Sequence, residues 1–185
     1  MMCLICTKQL SVGNMIIDSE HRNLICIINN ANRAIATRDS LALPQELERL
    51  ENWLCIHFAN EERIAQAVSF PSARLRLAQQ CSLDELRRLR DEMEAKYGIW
   101  SEDMAGHFSR LLEIWMIEHI TKVDMPMKPM LQTHDYNFWP GWRGDETGHV
   151  VMANCSLMLA ASGAAGCGCN NYPSATIKPA CPAFT

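Results

Sequence analysis

Residues 44–64 read PQELERLENWLCIHFANEERI. A stripe of positions in this stretch recurs at alternating spacings of three and four, which predicts a helix that opens after Pro44, a residue suited to a first helical turn. The stripe consists of Leu47, Leu50, Leu54, His57, Glu61 and Ile64. It places His57 and Glu61 one turn apart on the buried seam, where a carboxylate is costly unless it is paired or bound to a cation.

Two further predicted helices also carry polar residues on their apolar stripes. The first begins near Asp18 or Ser19, ends around residues 37–40 and places His21 on its stripe. The apolar members of that stripe are Ile17, Leu24, Ile28 and Ile35. The last helix begins at Ser101 and turns Phe108, Leu112, Trp115 and His119 inward, with Asp124 five residues after His119. All three histidines are therefore expected to point into one interior.

A fourth helix is predicted between these, over residues 72–97, after a break at Phe70-Pro71. It is strongly charged outside, and a capping box that begins at Ser82 could interrupt it. Four long amphipathic helices with short connections predict an all-α fold, an up-down-up-down four-helix bundle over residues 1–132.

Residues 133–185 have a different character. They are aromatic and rich in glycine and proline, then small and apolar, and no helical period runs through them. We expect a largely irregular, partly disordered tail with a short helix near residues 150–161 as one option. A C-x-C pair at Cys167 and Cys169 is too weak a pattern to define a metal site.

Composition restricts the classes of partner. The charged share of 21% and the hydrophobic share of 48% fit a globular chain. A net charge of -4 gives no basic field for phosphate backbones, so nucleic acid is an unfavoured partner. The first residues lack a long apolar core with a cleavage site, and no stretch has about 18 uninterrupted apolar residues, so we expect a cytoplasmic protein without a membrane partner.

The inward polar residues form a set that suits metal binding. The set is His21, His57, Glu61, His119 and Asp124, contributed by three helices. Three imidazoles and two carboxylates are ligand types that iron, manganese or zinc prefer. Each histidine alone is more often an ordinary core residue than a ligand, but five such residues on apolar stripes together favour a metal site.

Several segments resemble bacterial hemerythrins in order and spacing. They are LSVG at residues 10–13, IDSEH at 17–21, HFANEE at 57–62, FP at 70–71 and WMIEHITKVD at 115–124. The resemblance covers roughly residues 6–131, and several motifs in order are far more specific than one.

The resemblance implies a non-haem di-iron centre that binds dioxygen. One iron would be held by His21 and His57 and the other by His119 with two further histidines, while Glu61 and Asp124 bridge both. Counting from Glu61, the two further histidines fall on Arg76 and Gln80, which are poor ligands. Arg76 is then expected opposite Glu61 and Asp124, where its charge could replace the second iron. An outward, solvated Arg76 is the alternative if the third helix is rotated.

Two residues of the last helix are expected at the ligand pocket. Trp115 and Met116 lie on the turn before His119. Met116 is nearly as well explained as an ordinary core residue.

Three functions remain open on sequence. The first is a non-enzymatic iron protein that binds, stores or senses dioxygen or a related small molecule. The second is a degenerate bundle with one metal or none that serves protein contacts. The third, and the least favoured, is a mononuclear iron redox enzyme that uses His21, His57 and Glu61.

Overall fold

Four long helices form the fold in the computed structural model, which describes residues 4–95 and 101–141. They are α1 (Met15–Thr37), α2 (Ala42–Ala67), α3 (Ser72–Glu94) and α4 (Glu102–Glu118). α4 runs on through a π-helical turn (His119–Asp124) and a 3-10 turn (Met125–Met127) into α5 (Lys128–Leu131), and another 3-10 turn spans Lys8–Leu10. The described residues contain no strand, so the predicted all-α four-helix bundle is confirmed.

The predicted stripes form the core. Ile17, Leu24, Ile28 and Ile35 of α1 are fully buried, as are Leu50, Leu54 and Ile64 of α2. α1 packs along α2 and α4, and α2 packs along α3. Because each buried face follows the spacing of three and four, these three contacts bring the polar members of the stripes into one interior.

α1 begins earlier than the sequence predicts. Asn14 caps it by accepting hydrogen bonds from the amides of Ile16 and Ile17 at 3.0 and 3.3 Å. Asp18, predicted near the helix start, instead accepts from the amide of Val12 at 2.8 Å and from Ser11 Oγ at 2.5 Å. The carboxylate thus fastens the preceding loop to the first turn of the helix.

The connections between helices are short. Arg38 ends α1 in the left-handed conformation, with φ of 53°, and Asp39 accepts from the amides of Leu41 and Ala42 at the start of α2. Ser69, with φ of 57°, lies in the turn between α2 and α3. α3 is not interrupted at Ser82, whose hydroxyl donates to the carbonyl of Ala78. Ser101 caps α4, as predicted.

Part of the predicted tail contacts the bundle. Tyr136 accepts from the amide of Met15 through its carbonyl, at 2.6 Å, and donates its hydroxyl to Asp18 at 3.1 Å. Asn14 Nδ2 donates to the carbonyl of Phe138 at 2.8 Å. Phe138 and Trp139 pack against an apolar cluster at this end of the bundle. The buried members of this cluster are Val12, Ile16, Ile17, Ile64, Ala65, Val68, Leu75, Met127 and Leu131. The rest of the tail, including the optional helix at 150–161, lies outside the described residues.

None of the helices in the described part of the chain has the length and apolarity needed to cross a membrane.

Candidate metal centre

The five residues that the sequence selects meet in the core. His21 comes from α1, His57 and Glu61 from α2, and His119 and Asp124 from the end of α4. His21, His57, Glu61 and Asp124 have no exposed surface, and His119 is 3% exposed. Donor atoms of His57, Glu61, His119 and Asp124 all lie within 4.8 Å of one another.

His21 completes the group through Asp124. Its Nε2 lies 2.9 Å from Asp124 Oδ2, and the other carboxylate oxygen, Oδ1, lies 3.4 Å from His119 Nε2. The Nε2 atoms of His57 and His119 are 3.3 Å apart. The donor atoms of His57, Glu61, His119 and Asp124 therefore surround one small volume, and His21 adjoins that volume through Asp124.

A π-helical turn places His119 and Asp124 on the same side. Five residues separate them, which on an α-helix would put the two side chains about 140° apart. The wider turn over His119–Asp124 brings both inward. Such turns inside an α-helix are frequently found at functional sites.

Glu20, which the sequence reasoning did not select, orients His57. Its Oε2 lies 3.1 Å from His57 Nδ1, and its Oε1 accepts from Asn60 Nδ2 at 2.6 Å. Both Glu20 and Asn60 are buried. A carboxylate on Nδ1 keeps a proton there and leaves Nε2 to face the centre, the usual arrangement behind a metal-binding histidine.

In the metal-free centre, burial disfavours the ionised form of the two carboxyl groups. Burial raises the pKa of Asp124 to about 8, and burial together with the charge of Asp124 raises the pKa of Glu61 well above its ordinary value. Burial lowers the pKa of His21 to about 3 and also lowers that of His119. Burial also opposes a charge on His57, but the Glu20 hydrogen bond and the negative charges of Glu61 and Glu20 together outweigh it and raise the pKa of His57. Of the three imidazoles, His57, which lies between Glu20 and Glu61, is therefore the one that favours a positive charge.

Buried atoms without hydrogen bonds show that the residues fit a metal. Within the described part of the chain these atoms include both ring nitrogens of His21, both carboxylate oxygens of Asp124 and Oε1 of Glu61. His21 Nε2 and Asp124 Oδ2 form no hydrogen bond although they are 2.9 Å apart. Unpaired polar atoms in a core are costly. Two metal-ligating atoms that lie this close without a hydrogen bond are arranged as neighbouring ligands of one ion would be.

Comparison with known proteins gives one consistent group of relatives. The chain is 22% identical to a bacteriohemerythrin of Stenotrophomonas maltophilia over 72% of this chain and 85% of that protein. It is 23% identical to one of Pseudomonas aeruginosa over 65% and 76%, and 22% identical to one of Methylococcus capsulatus over 62% and 85%. The chain is bacteriohemerythrin-like. No protein-family model matches it.

The third helix of this hemerythrin-like bundle is rotated relative to the predicted register. Arg76 does not face Glu61 and Asp124: its side chain is 48% exposed and donates to Glu62 at 2.7 Å. Gln80 is also exposed and donates to Asp84. The inward positions are one residue earlier, Leu75 and Gln79, which are 2% and 4% exposed. The prediction that Arg76 replaces an iron is therefore wrong, and the outward alternative is correct.

Gln79 is the polar residue that α3 directs at the hemerythrin-like centre. Its Nε2 donates to Glu61 Oε2 at 2.8 Å. Leu75 packs in the apolar cluster with Ile17 and Ile64. Neither side chain is a nitrogen ligand of the kind that the resemblance leads us to expect on this helix.

Trp115 and Met116 differ in position. The indole of Trp115 stacks on the ring of His119, with centroids 5.6 Å apart and planes at 9°. Trp115 also lines a cavity of about 40 Å³ between α3 and α4, together with Glu85, Leu86, Leu89, Leu111 and Leu112. Met116 is fully buried. Their role in a ligand pocket stays a prediction.

Proposed function

We propose that this protein is a non-haem iron protein of hemerythrin type that binds, stores or senses dioxygen or a related small molecule without turning it over. The observation that supports the proposal is the buried group of three imidazoles and two carboxylates with unpaired atoms at its centre. The bacteriohemerythrin relatives favour iron over manganese or zinc, which the same donors would accept.

The chain's own residues supply the ligands and their orientation. His21, His57, His119, Glu61 and Asp124 would hold the ion, and Glu20 fixes the ring of His57 through Nδ1. Iron, when bound, supplies an electron-rich centre to which a small diatomic molecule can add. The helices exclude water from these ligands, since none of the five is more than 3% exposed.

A small apolar cavity lies beside Trp115, whose indole stacks on the ring of His119. It lies between α3 and α4, is lined mostly by leucines and has the stacked Trp115 and His119 rings at one side. Its largely apolar lining suits a small uncharged molecule rather than an ion. This supports a gas as the ligand.

The remaining assignments follow charge and composition. The net charge of -4 disfavours a nucleic-acid partner. A cytoplasmic location and the absence of a membrane partner stay predictions, as do the bounds of the bundle at residues 1–132 and of the tail at 133–185.

Gas binding by the iron-loaded protein tests the proposal. The full chain is loaded with iron(II) under anaerobic conditions and titrated with nitric oxide and with dioxygen, and the visible spectrum is followed. We expect a saturable change that reverses when the gas is removed. A Glu61→Ala variant should lose it, whereas Glu118→Ala, which removes an exposed carboxylate next to His119 at the end of α4, should keep it.

Three results would count against this proposal. Iron-loaded protein with no spectral response to either gas would contradict a gas-binding role. Sustained consumption of dioxygen or peroxide with a reductant would favour the mononuclear redox enzyme instead. An equal iron content in the wild type and the Glu61→Ala variant would contradict the site itself.

A further inference from the structure

The wall that α3 contributes to the centre offers no strong metal ligand among its described residues. Leu75 has no donor atom and packs with Ile17 and Ile64. Gln79 presents Nε2 to Glu61 as a hydrogen-bond donor, and an amide N–H cannot ligate. Arg76 and Gln80 lie on the exposed face.

Gln79 also engages the carboxylate that a second ion would need. A carboxylate that bridges two ions offers one oxygen to each. Glu61 Oε2 already accepts from Gln79 at 2.8 Å, whereas Oε1 has no hydrogen-bond partner in the described part of the chain. Of the two Glu61 oxygens, Oε1 is therefore free for an ion, whereas Oε2 is shared with Gln79.

The distances between donor atoms also suit one ion. With metal-ligand bonds of about 2.1 Å, two neighbouring ligands lie about 3 Å apart and two opposite ligands about 4.2 Å apart. The distances here are 2.9 Å from His21 to Asp124, 3.3 Å between His57 and His119, and 3.4 Å from His119 to Asp124. The distance from His57 to Glu61 is 4.0 Å. In a two-metal centre the ions themselves are about 3.5 to 4 Å apart, so terminal ligands of different ions are not expected at 3.3 Å.

We infer that this centre takes one divalent transition-metal ion, held by His57, His119, Glu61 and Asp124 with His21 beside Asp124, and that Leu75 and Gln79 close the second position. The inference rests on the proposed function only in that the centre binds metal.

The number of iron ions per chain tests the inference. The full chain is freed of metal with a chelator, loaded anaerobically with iron(II), desalted and analysed for iron and protein. The iron that belongs to the centre is the difference between the wild type and a Glu61→Ala variant, which removes any contribution of sites elsewhere on the chain. We expect a difference of about one ion.

Two double variants show whether α3 sets that number. Leu75→His with Gln79→His adds imidazoles on the inward face and should raise the count to about two. Arg76→His with Gln80→His adds the same two imidazoles on the exposed face and should leave it at about one. Circular dichroism and unfolding curves establish that each variant is folded.

Each result decides a separate point. A wild-type difference of two ions overturns the inference and leaves the proposed function intact, whereas a difference of zero overturns both. A folded Leu75→His, Gln79→His variant that remains at one ion would show that these two side chains are not what closes the second position. If that variant does not fold, the wild-type count alone decides the number.

Discussion

At the scale of single residues, the centre depends on side chains that are not ligands. Glu20 contacts His57 through one oxygen and Asn60 through the other. The sequence did not reveal this role, because Glu20 sits in the early turns of α1, where a glutamate usually favours the positive helix end and faces solvent. A buried acid next to His21 becomes informative only when the packing of α1 on α2 is known.

Loss of the Glu20 carboxylate should weaken metal binding without removing a ligand. Outer partners of metal-binding histidines typically contribute about 10 to 100-fold in affinity, so we expect Glu20→Ala to bind iron or cobalt more weakly by about that factor. Competition with a chelator of known affinity measures it. Glu118→Ala serves as the exposed control, and equal affinities in Glu20→Ala and wild type would contradict the positioning role.

Metal-free protein should lose stability as the pH rises. The pKa of Asp124 is raised by burial from 3.8 to about 8 in the folded state. The contribution of Asp124 to the free energy of unfolding is therefore fully present below about pH 4 and is lost as the pH rises through about 8. In this range unfolding exposes the carboxyl group, which then ionises freely. Urea unfolding between pH 6 and pH 9 measures the trend, and Asp124→Asn should flatten it. An equal slope in that variant would assign the effect to another group.

At the scale of elements, the observed register of α3 differs from the predicted register. Counting fifteen residues from Glu61 leads to Arg76, but the inward positions are Leu75 and Gln79. A shift of one residue rotates a helical position by about 100°, and a motif count cannot account for the length of the α2–α3 turn. The stripe of α3 would have given the correct face. Its buried members at spacings of four and three are Leu75, Gln79, Ser82, Leu86, Leu89 and Met93.

Removal of Arg76 should therefore be nearly harmless. The side chain is 48% exposed and pairs with Glu62 at the surface, where such pairs contribute roughly 0 to 1 kcal/mol. A buried partner of Glu61 would instead cost about 3 to 5 kcal/mol when removed. Chemical denaturation of Arg76→Ala distinguishes the two, and a loss in the larger range would mean that α3 presents another face.

The long stripes of α1, α2 and α4 were predictable, and so were the five polar residues on them. Each lies on a face defined by many apolar neighbours, so a single error in a helix start, as at Asn14, did not change which residues face inward. The π-helical turn was not predicted. The five-residue spacing of His119 and Asp124 contained a hint of it, since an α-helix does not place such residues on one side.

At the scale of the whole molecule, residues just after the predicted boundary at residue 132 contact the bundle. Tyr136 forms hydrogen bonds with Met15 and Asp18, while Phe138 and Trp139 pack on the apolar cluster. These contacts escaped the sequence analysis because residues 133–140 have no helical period, although they contain aromatic residues.

Two truncations measure the contribution of these residues. A chain that ends after Gln132 should remain helical but unfold more easily than one that ends after Gly141, by about 2 kcal/mol or more from lost apolar burial and hydrogen bonds. Urea midpoints at equal slope give the difference. Identical midpoints would show that the contacts of residues 133–140 contribute nothing to stability.

The central claim is that three helices hold one iron between His21, His57, His119, Glu61 and Asp124. Anomalous diffraction at the iron absorption edge, from crystals of the full chain loaded with iron(II), tests it most directly. The account predicts a single anomalous peak in the core, in contact with His57, His119, Glu61 and Asp124 and beside His21, with Gln79 hydrogen-bonded to Glu61. Two peaks, or no peak between these residues, would contradict it.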